Sequence, residues 1–417
     1  MLVAMHPIQD PIRLEADVQE YFELSGQVMH GTYHFDSRRV PGHVLILAVF
    51  RKLTSGNLIA LQVLVSIFFS LVAPFVYLLA RRFSPDKRLA FVVALAATVW
   101  PPFLIYGRTL YSETTALPCF IAFLFLLPRG LVMGGNLAVV PTWRWIISGF
   151  MFGICLLIRP MYLIFTPFLI IIICIENDFK IRVLTSLLWL GLGCAITLLP
   201  WTLYASQHAG RFVLLSSNGG ETLAGGLNPN LIARGYTMYT TPEGRVTWAG
   251  PGKWSDELDT GYLSPQELQW PREARDHILM KRTCAWAWTH PKDAIYLEWA
   301  KLAYMWGVYP FWNGLKQTLF GNIPTLFLVI VNLVGLFVFR QRLSQFVMLC
   351  ALPLFSSAVA LISWGSWRFR QPGDIGLLML AVFLLWTWIS KKKVWFYGDP
   401  SVERASRDEG KGKPLFK

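Results

Sequence analysis

Apolar residues fill this chain in long unbroken runs, where a helix facing water on one side would show them every three or four residues. Nine such runs have, or come close to, the length of about 17–25 residues that crosses a hydrocarbon layer. They cover 56–80, 89–106, 114–127, 145–158, 161–175, 183–204, 323–339, 346–363 and 375–389. The third, fourth and fifth are short, and would cross with Tyr, Trp and Arg at their ends held in the interface. The pattern predicts an all-α polytopic membrane protein: a bundle of about nine spans, with juxtamembrane helices and a mixed loop domain on its outer face.

Between the runs the pattern changes character. Val18, Tyr21, Phe22, Ser25 and Val28 form one helical stripe that ends at Gly31. A second amphipathic piece, 43–53, is too short to cross and is expected to lie in the interface. The stretch from 205 to 321 is the part large enough for a subdomain in water. Its first half (SSNGGETLAGGLNPN, then TPEG and AGPGKW) reads as irregular loops around a site. In its second half Ser264-Pro265-Gln266-Glu267 predicts a helix start through a capping box. A further helix is expected from Pro291, carrying Tyr296, Trp299, Lys301 and Trp306 back toward the bilayer. No internal repeat is visible.

The chain thus divides into outer-face helices and first outer loop (1–55), six spans (56–204), a loop domain (205–321), three further spans (322–390) and a polar tail (391–417).

Composition narrows the class. Of 417 residues, 54% are hydrophobic and 15% charged, against roughly a quarter charged in soluble proteins. That excludes a disordered chain and an ordinary soluble enzyme. The net charge of +13 would suggest nucleic acid until the cations are located. Thirteen Lys and Arg fall in the short loops of one side: Arg81, Arg82, Lys87, Arg88, Arg129, Arg144, Lys180, Arg182, Arg340, Arg342 and Lys391 to Lys393. Four fall on the other: Arg108, Arg159, Arg368 and Arg370. Positive charge stays in the cytoplasm, so the amino end and the 205–321 loop are expected outside a bacterial inner membrane, and the tail inside. The partners are then membrane lipids, and nucleic acid is not among them. An outside amino end followed by an odd number of spans predicts a further helix upstream of Met1. Five cysteines sit in apolar runs and only Cys284 in a polar one, so no disulfide framework is expected.

The outer side holds the candidate chemistry. Asp17 opens the first outer helix, with Glu20 and Tyr21 one turn along. Asp17 is either an acid favoured by the helix dipole or a general base within reach of a hydroxyl. Arg38-Arg39 precede a tight turn at Pro41-Gly42, where guanidiniums can clamp phosphate. Arg108 lies close to Glu113 at the mouth of the third span, as an adjacent cation and acid. Arg159 sits between two spans with almost no loop, at the depth of an anionic headgroup. Arg368 and Arg370 oppose the topological bias. An anionic ligand accounts for them, and so does an ion pair with Asp374. No nucleophile elbow, phosphate-binding Gly loop, zinc-protease motif or Cys/His ligand spacing is present. A divalent metal is possible but not indicated by the seven scattered histidines.

Read in order, ADVQEYFELSGQVMHGTY, RRVPGHVLILAVFRKL, GRTLYSETTALPCF, LLIRPMYLIFTPFLI, LLPWTLYASQHAGRFVLLSSNGG, HPKDAIYLEWAKLAYMW and RFRQP resemble the GT-C membrane glycosyltransferases over nearly the whole chain from Asp17 to about Ile389. Those families include the protein O-mannosyltransferases, the lipid A aminoarabinose transferases and the rhizobial galacturonosyltransferases. The resemblance implies a polyprenyl-phosphate-sugar donor, a glycan, lipid or protein acceptor on the outer face, and inversion at the anomeric carbon. By position it implies that Asp17 is the catalytic base. It matches Arg39 to the cation before the Pro-rich turn, Glu113 to the acid opening a span, and Arg368 and Arg370 to a late Arg-aromatic-Arg element. Glu20, Tyr21, Arg159 and Lys301 complete the expected substrate-binding set. The family's first span has no counterpart here, and Ser37-Arg38 replaces an acid-bearing stretch, which puts a family metal site in doubt. The competing reading is a transporter or flippase for a polyprenyl-linked or anionic solute, using the same arginines.

Overall fold

The computed structural model describes residues 16–35, 38–128, 141–176, 181–233, 235, 237–240, 246–255, 260–307, 322–338 and 346–390. Ser37, the loop cations Arg129, Lys180, Arg340 and Arg342, and the tail from Lys391 lie outside the described residues.

Each of the nine apolar runs is helical. Among the described residues two short helices precede the apolar runs, α1 (Ala16–His30) and α2 (Pro41–Leu53). The first run is α3 (Leu58–Ser70) continued by α4 (Val72–Phe83), and the second is α5 (Lys87–Val99) followed by α6 (Pro101–Tyr106). Pro101 breaks the second run because it supplies no amide hydrogen, and its predecessor Trp100 is extended. There follow α7 (Glu113–Leu126), α8 (Thr142–Ile158), a 3-10 turn (Pro160–Ile164) leading into α9 (Phe165–Glu176), and α10 (Ile181–Ala209). The 205–321 segment holds α11 (Gly219–Gly226), α12 (Pro229–Ala233), the strands β1 (Thr237–Thr240) and β2 (Val246–Ala249), then α13 (Arg272–Thr289) and α14 (Pro291–Met305). Three apolar helices close the fold: α15 (Ile323–Val338), α16 (Val347–Ile362) and α17 (Gln371–Ser390). Among the described residues, 3 stretches are long and apolar enough to cross a membrane: Leu58–Phe83, Leu184–Ala209 and Gln371–Ile389.

The main core is aromatic. Phe120 of α7 stacks on Tyr162 at 4.4 Å between ring centres and meets Phe165 edge-on at 5.2 Å; Phe355 of α16 completes the group. Helices α8 and α10 pack backbone against backbone, and glycine allows it. A Cβ on Gly149 would stand 1.9 Å from the Leu190 carbonyl oxygen, and one on Gly193 would stand 2.0 Å from that of Ile146. Backbones in such contact gain dispersion energy, a main source of helix association in lipid.

A second cluster joins α1 and α2 to α3. Val18, Tyr21 and Leu24 of α1 pack on Val44 and Leu47 of α2, which rest on Leu61 and Val65 of α3. At the opposite end of α7, the buried Arg82 donates to the carbonyls of Phe125 and Leu127. The carbonyl end of that helix is thereby satisfied by a cation.

The 205–321 segment departs from expectation at its capping box. Glu267 accepts from the Ser264 amide at 2.8 Å and the Ser264 hydroxyl accepts from the Glu267 amide at 3.4 Å, yet they open only a 3-10 turn at Glu267–Gln269. Pro271 ends that turn and the long helix begins after it, at Arg272. The helix expected from Pro291 does start there.

Candidate functional site

The amino end of α7, the carboxyl end of α8 and the turn before α17 converge at one end of the bundle, under α1. Each contributes a charge. Glu113 opens α7, Arg159 follows α8, Arg368 lies in the turn, and Asp17 and Glu20 sit one turn apart on α1. Arg39 comes from the link between α1 and α2.

Asp17 is the hinge of the cluster. Its Oδ1 accepts from Arg39 Nη2 at 2.7 Å and its Oδ2 from Arg368 Nη2 at 2.7 Å. Each guanidinium has a second acid behind it. Arg39 donates to Glu20 Oε2 through Nε at 2.9 Å and Nη2 at 2.5 Å. Arg368 Nε lies 3.3 Å from Glu113 Oε1, close enough for charge attraction though outside hydrogen-bond geometry. The other oxygen of Glu113 takes Arg159 Nη1 at 2.7 Å, and the Ser112 hydroxyl accepts from the same nitrogen at 2.6 Å.

Aromatic rings wall the guanidiniums. Arg39 lies over Tyr21 at 4.6 Å, and its Nη1 also donates to the Tyr21 hydroxyl at 3.3 Å. Arg368 lies over Tyr111 at 4.7 Å. Such faces favour a cation with less water around it. Tyr21 is in turn fixed edge-on against His43 at 4.7 Å, whose ring spans Thr115 Oγ1 and the Leu110 carbonyl at 2.8 and 3.0 Å.

The electrostatics follow from this packing. Burial opposes ionisation of Asp17, but the charges of Arg368 and Arg39 outweigh it and hold the carboxyl well below the usual carboxylate range. Burial likewise opposes the charge on Arg368, and Glu113 with Asp17 reverses the balance and keeps it protonated. Arg39 is held charged against burial by Tyr21, Asp17 and Glu20.

Of the residues expected from sequence, Asp17, Glu20, Tyr21, Arg39, Glu113, Arg159 and Arg368 meet in this one cluster. Arg370 and Lys301 do not join it. Arg370 is fully buried, with Nη1 on the Met305 carbonyl at 2.9 Å and Nε 3.3 Å from Asp374. The ion pair that was the structural alternative for this arginine is therefore formed, one helical turn into α17. Lys301 is also fully buried, donating to Glu298 at 2.9 Å and to the Leu361 carbonyl at 3.0 Å. Burial lowers its pKa and raises that of Glu298, so the pair is held in a weakly polar setting. The acid beside Arg108 is satisfied by Arg159 and Arg368 instead.

Sequence reasoning missed Glu221. This buried acid of α11 pairs with Arg38 at 2.9 Å and with Arg272 at 3.5 Å, joining the 205–321 segment to the cluster, since Arg38 also lies 3.6 Å from Glu20. Its signal was modest: it is the single acid in the Gly- and Asn-rich run SSNGGETLAGG.

Among the described residues no group of three or more His, Cys, Asp or Glu is placed to hold a metal ion. The three acids of the cluster each face a guanidinium, so their negative charge is met within the protein.

No family model matches the chain, and no curated protein matches it in sequence. In structure it is similar to the crystal structure of ArnT from Cupriavidus metallidurans in the apo state, at 13% identity and a TM-score of 0.39, with 97% of this chain and 77% of that chain covered.

Proposed function

We propose that this chain is an inverting glycosyltransferase of the GT-C kind. It moves a sugar from a polyprenyl-phosphate carrier to a glycan, lipid or protein acceptor at the outer face of a bacterial inner membrane. The observation that carries the reading is the sharing of one carboxylate, Asp17, between two guanidiniums, Arg39 and Arg368, at the end of an apolar bundle. In-line displacement places base and phosphate on opposite faces of the anomeric carbon, so in this reading the sugar enters between Asp17 and the guanidiniums that this carboxylate contacts in the structure.

In this reading the donor's lipid tail stays among the apolar helices and its phosphate meets Arg39 and Arg368. The acceptor hydroxyl oxygen attacks the anomeric carbon from the face opposite the phosphate. The bond from that carbon to the phosphate oxygen breaks, and its electron pair leaves with the polyprenyl phosphate. Asp17 takes the acceptor's proton as the new bond forms. Charge builds on the departing phosphate, and preorganised guanidiniums stabilise it there more than in the ground state. Phosphate is a good leaving group, so no strong acid is needed, and the cluster offers none.

The nine apolar helices cross the membrane in this arrangement, with the end marked by Arg82 in the cytoplasm and the Asp17 cluster outside.

The test is transfer by the purified chain in detergent, with radiolabelled polyprenyl-phosphate sugars as donors, alongside analysis of envelope glycans and lipid A from a gene-deletion strain. The expected result is loss of one sugar from the envelope and its transfer in vitro. An unchanged envelope together with no transfer from any donor would overturn the assignment.

A further inference from the structure

In the structure Asp17 occupies the place that the proposed reaction needs for phosphate. Both of its oxygens are taken, one by each guanidinium, at 2.7 Å. Each oxygen keeps a second lone pair, but both sit against a guanidinium, whose charge opposes uptake of an acceptor's proton. The guanidiniums, by contrast, do not depend on Asp17 for their positions. Arg39 stays tethered to Glu20 through Nε, stacked on Tyr21. Arg368 stays beside Glu113, under Tyr111. Glu113 is itself buried and fixed by Arg159 and Ser112. The exchangeable member is Asp17, the most exposed acid of the three at 29% of its side chain, against 23% for Glu20 and 4% for Glu113.

We infer that Asp17 is an internal stand-in for the donor's phosphate, holding the Arg39–Arg368 pair closed until the lipid phosphate displaces it. The inference rests on the reading of this site as a phosphate clamp and adds an order of events. Two oxygens of a phosphate monoanion or diester present the same divided negative charge to the two guanidiniums as a carboxylate does. Once they are bound, Asp17 loses both partners, is free to turn toward an acceptor and comes under the repulsion of the bound phosphate. The two charges that held its proton affinity down are then spent on the ligand, so it becomes a stronger base. The base is thus silent in the empty site and is switched on by the donor itself.

The experiment measures binding of farnesyl phosphate, which carries the phosphate and an isoprenoid but no sugar, to the full chain in detergent. Asp17→Asn removes the competing charge while keeping the side chain's shape. If Asp17 competes, this variant binds farnesyl phosphate at least about tenfold more tightly than the unsubstituted chain, in line with the coupling of close charge pairs. Binding that is unchanged or weaker would show that Asp17 organises the guanidiniums, and would overturn the inference. If unchanged affinity is joined to a large loss in Arg368→Gln, the clamp reading survives and only the displacement falls. If no form of the chain binds farnesyl phosphate, both fall. A second measurement needs no variant: the infrared carboxylate bands of the unsubstituted chain should shift when farnesyl phosphate is added, and their constancy at saturating ligand would overturn displacement independently.

Discussion

Asp17 and Arg368 are separated by 351 positions in the chain and by 2.7 Å in space. The bond closes a circuit that runs from Glu20 through Arg39, Asp17, Arg368 and Glu113 to Arg159. Acids and cations alternate along it, so the circuit is close to neutral although every member is charged.

Replacing Asp17 with Asn should reduce sugar transfer by roughly 10²–10⁴-fold, the usual contribution of a positioned base. The assay is product formation at saturating donor, which separates turnover from donor binding. Turnover within a few-fold of the unsubstituted chain would remove Asp17 from the chemistry.

Glu113 should matter most for stability. It is buried and neutralises Arg159 and Arg368 together. Its replacement by Gln leaves two half-buried cations facing one another, at a cost on the order of 3 kcal/mol. Denaturant unfolding in detergent reads this directly. The double variant Glu113→Gln with Arg159→Gln should recover part of the loss, because the surplus charge goes with it.

The two late arginines should separate cleanly. Arg368→Lys keeps a charge but loses the fork that spans Asp17 and Glu113, so donor affinity should fall about tenfold or more. Arg370→Lys breaks contacts with the Met305 carbonyl and Asp374 inside the protein. Its effect should appear in the unfolding midpoint, with donor affinity in the surviving folded fraction unchanged. Equal effects of both changes on donor affinity would contradict the geometry.

The pH dependence of the ligand-free chain carries a sign. Asp17 has a folded pKa below its ordinary value of 3.8, so its stabilisation is fully present above that pH. It is lost only as pH falls through the lower, folded value. The stability difference between the unsubstituted chain and Asp17→Asn should therefore be constant from neutrality down to about pH 4 and shrink below it. Unfolding titrations at a series of pH values measure it.

Gly149→Leu should disrupt the α8–α10 seam, because even a Cβ there meets the Leu190 carbonyl oxygen at 1.9 Å. Loss of folded protein on size-exclusion chromatography is the expected outcome, whereas a change to Leu at Gly191, which has open space around it, should be tolerated.

The helices were legible because hydrocarbon demands an unbroken apolar run, and each of the nine runs has become helix. The acid–arginine cluster was legible only as an inventory. Nothing local in the sequence ties Asp17 to Arg368, since that contact depends on how α7, α16 and α17 pack. The pair Arg368 and Arg370 shows the limit well. Two identical residues two apart share one local signature, yet the second stands four residues before Asp374 at the start of α17 and folds inward onto it, while the first meets α1. The Ser264–Glu267 box formed its hydrogen bonds as expected, but Pro271 limited it to a single turn. Glu221 was hidden because an acid in a glycine-rich loop looks like any solvated surface charge until Arg38 and Arg272 are placed beside it.

The glycine seam between α8 and α10 has a mechanical consequence. Two backbones in direct touch leave no side chains to compress or re-pack between them, so the pair behaves as a single strut. Arg159, mounted at the tip of that strut, is a fixed post. Under the proposed function, room for a phosphate has to come from the Asp17 side of the cluster, whose carboxylate is the most exposed of the three acids.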